Sequence, residues 1–126
     1  MFVRFVVGTE TENGFWLTGL FTMAREMRDR GDLYQYESEW LDEIFEWFNA
    51  NVPCPPFGEK RRSGKWSEDA VSWFRDNAGE PLQRMWDLVA LLREHGVPVR
   101  VVTTDKPGKI VYSDEYQVVA ETLRWA

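Results

Sequence analysis

The chain carries one thiol, Cys54, and one imidazole, His95, so nucleophilic or acid–base chemistry would have to be assembled from these two groups and the carboxylates. A cysteine nucleophile needs a basic or helix-N-terminal setting that stabilises its thiolate, with a histidine in reach. Cys54 lies between Pro53 and Pro55 with neither nearby in sequence, which leaves only a long-range pairing with His95. His95 precedes Gly96 at the end of an apolar-periodic segment. There an imidazolium is favoured by the helix dipole and its ring can cap free carbonyls, a structural role that competes with a catalytic one. Asp114 and Glu115, adjacent at a turn, are the acids that could hold a metal. A single cysteine excludes an internal disulfide and a multi-cysteine zinc cage. No HExxH, GxSxG, Walker or dinucleotide-binding pattern occurs, so the inventory implies no cofactor, no metal and no catalytic set.

Charge is the stronger signal. Fifteen Lys and Arg against twenty-one Asp and Glu give a net charge of −6, which disfavours direct binding to nucleic acid. Between Arg30 and Lys60 there is no basic residue, while Asp32, Glu37, Glu39, Asp42, Glu43, Glu46 and Glu59 give that stretch a balance of −7. Directly after it come Lys60, Arg61, Arg62 and Lys65. Read as a helix from about Glu37 to Ala50, the acidic segment places Trp40, Leu41, Ile44, Phe45, Trp47 and Phe48 on an apolar arc of roughly 160°. Glu39, Asp42, Glu43 and Glu46 fall within about 100° on the opposite side. Like charges three and four residues apart cost about 0.2–0.5 kcal/mol each. A solvated face kept soluble by its charge and a docking face for a basic partner both fit, and the absence of any Lys or Arg at i±4 favours docking. Glu37, Glu39, Asp42, Glu43 and Glu46 are therefore the candidate partner-binding residues. Lys60, Arg61, Arg62 and Lys65 form the alternative, a phosphate- or nucleotide-binding loop of a small enzyme. Ion pairing with the adjacent acids is the simpler use of those cations.

The elements that carry these residues can be read from periodicity. A length of 126 residues with 44% apolar and 29% charged types indicates one globular domain. Residues 2–7 are Val- and Phe-rich and suit a buried strand rather than a signal peptide, since no basic region precedes them and no cleavage site follows. No run of eighteen apolar residues exists, so a membrane span is not expected and a cytoplasmic protein with a reduced thiol is. Thr9–Gly14 reads as a turn. Leu20, Met23, Ala24 and Met27 form one stripe of a helix beginning at about Leu17 and stopped by Gly31. Prolines and glycines make 52–66 a long loop. Ser67 with Glu68 and Asp69 resembles a helix start, giving a short helix over Val71–Phe74 or, alternatively, a brief strand. Pro81 opens another helix, whose apolar arc of about 200° marks it as central and which ends at Gly96. Val97–Thr104, Ile110–Ser113 and Tyr116–Leu123 are strands, with a type II turn at Lys106–Lys109. Trp40, Trp47 and Trp86 fall on apolar helix faces and are expected in the core; Trp16, Trp66 and Trp125 lie where burial is less assured. The result is an α+β fold, a small mainly antiparallel sheet of the N-terminal strand and C-terminal hairpin strands, covered by three to four helices.

The segment Arg84–Val97 (RMWDLVALLREHGV), followed by Pro107–Tyr112 (PGKIVY) and Asp114–Ala120 (DEYQVVA), resembles a family of short uncharacterised bacterial and phage-borne proteins. The resemblance covers about the final third of the chain and implies neither an activity nor a catalytic residue. Size and charge together suggest a non-catalytic interaction domain. Its acidic helix would dock on a basic protein surface, such as that of a nucleic-acid-binding complex, in the manner of anti-CRISPR and other phage-type inhibitors. Self-association through leftover aromatic surface is a third expectation.

Overall fold

The computed structural model describes residues 1–10 and 16–121, and the side chains of all of these except 8–10 and 16–18. The elements follow in the order β1 (Phe2–Glu10), β2 (Trp16–Gly19), α1 (Leu20–Asp29), α2 (Gln35–Asn51), α3 (Phe57–Arg62), β3 (Val71–Arg75), α4 (Glu80–Glu94), β4 (Val99–Thr104), β5 (Lys109–Ser113) and β6 (Gln117–Glu121). Helices and antiparallel strands in this arrangement make the α+β fold that the patterning predicts.

β1 organises the sheet. One of its edges pairs with β4 along its length, from Phe2 opposite Thr104 to Val7 opposite Val99. The other edge is divided: β3 takes Phe2 and Val3, opposite Arg75 and Phe74, and β2 takes the far end from Val6, opposite Gly19. Arg4 and Phe5 lie between the two, at a fork in the sheet. β6 then pairs with β3, and β5 with β6. On one face Phe5, Val7 and Val99 pack under α1, α2 and α4 through Leu20, Ala24, Leu41, Ile44, Leu88 and Leu92. Because strand side chains alternate, Trp73, Val118 and Ala120 gather with Phe2, Val71 and Val102 on the other face.

That second face is buried, and among the described residues no helix contributes to its cluster. Val118 and Ala120 are 1% and 0% exposed. The connection between β4 and β5 explains how. Only residues 105–108 join them, a reach of about 17 Å, although the two strands lie at opposite ends of the sheet. Laid flat, those ends would stand about 19 Å apart by strand spacing alone. The sheet therefore curls upon itself, and its concave face becomes a second core.

Several expectations are corrected. Leu17 belongs to β2 and the first helix starts at Leu20; Gly19, the last residue of β2 and the N-cap of α1, is extended at φ −78° and ψ 162°. The stretch 52–66 is not a plain loop, because α3 forms within it where Phe57 packs edge-on against Trp66 at 5.5 Å. Trp66 is 6% exposed and joins Ala70 and Val119 in a small core of its own. Of the two readings of Val71–Phe74 the strand is the one that forms, paired with β6, and the Ser67 hydroxyl bonds Asp69 rather than a helix N-terminus. β5 and β6 form the expected C-terminal hairpin, while β4 pairs with β1 and not with β5 across the 105–108 connection. Trp86 is 47% exposed, because the buried arc of α4 runs through Met85, Leu88, Val89, Leu91 and Leu92 and stops short of it. Trp40 and Trp47 are half-buried against the main core. Trp125 and the Thr9–Gly14 turn fall largely outside the described residues. Gly31 and Gly96 stop α1 and α4 as expected, both at φ +78°.

Candidate docking face on the acidic helix

α2 is amphipathic, and its inward side is set by Leu41, Ile44 and Phe48, all buried. At 100° per residue Glu37 falls about 20° from Ile44, in the middle of that inward arc. It is accordingly 2% exposed, and the expectation that it joins the docking face is corrected. Two partners keep it there. The Tyr34 N–H donates to its Oε1 at 2.9 Å, one half of a capping box, and His95 Nε2 lies 2.9 Å from both carboxylate oxygens. Burial pushes this carboxyl up, but the Tyr34 N–H, the His95 hydrogen bond and the charge of His95 outweigh it and hold the group below its ordinary value. His95 thus ties the end of α4 to the start of α2, with its ring committed to Glu37 rather than to helix carbonyls or to Cys54.

The other four acids, Glu39, Asp42, Glu43 and Glu46, are exposed on the outward side. Arg28 of α1 engages Asp42, which neutralises one of the four. Glu39 accepts an uncharged contact from Gln35 Nε2 at 3.3 Å. Among the described residues no ion pair reaches Glu39, Glu43 or Glu46. The row continues into two residues that the residue pattern alone does not single out. Tyr34 and Tyr36 are 68% and 69% exposed and stack on each other, with ring centroids 6.0 Å apart and planes 5° from parallel. The helical wheel holds the signal for one of them: Tyr36 lies within about 20° of Glu43, on the acidic side.

The remaining candidates are dispersed or structural. Lys60, Arg61 and Arg62 are consecutive in a six-residue helix, which spreads them about 100° apart, and Lys65 lies beyond its end. They occupy the last turn, the negative end of the dipole, where their charge complements the helix. Arg61 donates to the Ala70 carbonyl at 2.7 Å and covers the Phe57 ring, which fixes α3 against β3. Cys54 is exposed. Asp114 organises the β5–β6 turn: its carboxylate accepts the Tyr116 and Gln117 N–H groups at 2.8 and 3.1 Å and the Tyr112 hydroxyl at 2.9 Å. Burial first, and then that carboxylate, raises the Tyr112 pKa. Among the described residues no cluster of three His, Cys, Asp or Glu could hold a metal ion, and no helix is long and apolar enough to cross a membrane.

Comparison of the chain with protein-family models, with curated proteins and with solved structures finds no match in any of the three.

Proposed function

We propose that the chain is a non-catalytic docking protein that presents the outward ridge of α2 to a basic surface on a partner protein. The observation that carries this reading is the row Glu39, Glu43 and Glu46, exposed and without a cation among the described residues, running into the stacked pair Tyr34 and Tyr36. Three like charges on one helix oppose its stability, and a cationic partner relieves that repulsion. Tyrosines supply contact area at low rotamer cost and are enriched where interfaces hold their energy. A protein whose groove ordinarily holds nucleic acid offers the matching charge, so the ridge would compete for that groove, as an inhibitor does.

The test is capture of partners from the native host or its target cell by the immobilised chain at low and high salt. A parallel column carries Glu39→Gln/Glu43→Gln/Glu46→Gln. The expected partner is retained at low salt, released at high salt and absent from the triple variant, whose circular dichroism matches the parent. A partner held equally by both columns at both salt concentrations overturns the acidic-ridge reading.

A further inference from the structure

The fork in the sheet opens into a cavity of about 560 Å³. It sits where β2 and β3 part from β1, roofed by the first turn of α1, the Phe45–Asn49 flank of α2 and the Val52–Pro55 segment. Its lining draws Phe5 and Phe74 from the helix-covered face of the sheet and Arg4 and Val71 from the other, so it reaches into the gap that unequal strand pairing leaves. The volume lies within the range of small-molecule sites. The cavity is set off from the outward ridge of α2, and a ligand held in it needs nothing from that ridge.

Two features of the lining specify a ligand. First, six of the chain's eight phenylalanines are there: Phe5, Phe21, Phe45, Phe48, Phe57 and Phe74. Aromatic walls offer ring faces and edges to an aromatic guest and exclude water from it. Second, the charge is inverted relative to the molecule. In a chain of net charge −6, the described lining contains Arg4 and Arg25 and no Asp or Glu. Neither arginine has a carboxylate partner among the described residues. Arg25 lies over the Phe45 ring at 5.4 Å and Arg4 near the Trp73 ring at 6.0 Å, so each is held by aromatic contact rather than by an ion pair. Burial lowers the Arg4 pKa from its usual value, the cost of holding a cation away from water. The first turn of α1 adds to the same field: Gly19, Leu20, Phe21 and Thr22 line the cavity, Gly19 brings no capping side chain, and no acid stands in that turn.

We infer that this cavity binds a small aromatic carboxylate, its ring among the phenylalanines and its anion on Arg4 and Arg25. The test is calorimetric titration of the intact chain with 2-naphthylacetate and with its neutral counterpart 2-naphthylacetamide, which share an aromatic body and differ in charge. One saturable site is expected, with the acetate bound about tenfold or more tighter than the amide, as a charge-assisted contact implies. In Arg4→Met/Arg25→Gln that preference should fall to near unity, and the single variants assign its share to each arginine. Equal affinity for the two compounds in the parent chain, no saturable binding of either, or a preference unchanged in the folded double variant overturns the inference. Should the double variant fail to fold, the acetate–amide comparison in the parent and in the surface variant Arg25→Gln decides.

Discussion

Glu37 holds a charge inside the protein with two donors, a backbone N–H one helical turn back and an imidazole 58 residues away in sequence. Its carboxyl is held below the ordinary glutamate value, so the stabilisation it gives is present above that value and lost as pH falls through the lowered one. Glu37→Gln should therefore flatten the decline of the urea midpoint below about pH 4.3, and a decline identical to the parent's would deny the carboxyl this role. His95→Ala, which leaves Glu37 buried with one partner removed, should cost about 2–3 kcal/mol at neutral pH in the same measurement. At this scale the sequence is only partly legible. The wheel places Glu37 among apolar residues, which a count of acids conceals, and nothing local connects it to His95. Trp66 and Trp86 exchange the places expected for them for a related reason. Burial of a ring depends on what the tertiary fold sets against it, which for Trp66 is Phe57 and Tyr112, both brought by other segments.

Periodicity identifies long elements well and short ones poorly. α2 and α4 are read to within a few residues because each carries two or more turns of apolar stripe with definite stops. α3 is hidden because six residues containing Gly58 and following two prolines show no period at all, and ring packing rather than propensity holds it. β3 is ambiguous alone and is decided by β6, a partner far along the chain that sets Val71 opposite Ala120 and Phe74 opposite Gln117. For α2 the helix can be separated from its proposed use. Glu43→Lys places a cation four residues after Glu39 and three before Glu46, converting two repulsions into attractions. The variant should be more stable than the parent by about 0.5–1 kcal/mol and should bind the basic partner less well. A variant that loses stability, or that gains stability with binding intact, would show that the outward acids serve neither purpose assigned to them.

Across the whole molecule, the α+β class and the joining of the first strand to the last third of the chain follow from the order of elements and from the need to bury apolar strands. The curl does not, because it arises from which edges pair and from a connection only four residues long, neither of which local pattern encodes. It does have a measurable signature. β1 and β6 are paired on both sides, whereas β5 is a sheet end with Ile110 48% exposed. In native-state hydrogen exchange, amides of β1 and β6 should open only with global unfolding and those of Lys109–Ser113 at markedly lower free energy. Equal protection throughout would deny β5 its place at an edge.

The pairing of Val7 with Val99 carries a consequence for how the protein is made. A ribosome adding about 5–20 residues per second makes β1 before β4 and needs several seconds more to release the strand that lies along it. During that interval an apolar strand has no mate on one edge, a state that invites pairing with other chains. Until β4 emerges that edge of β1 stays open, an exposure the finished fold removes.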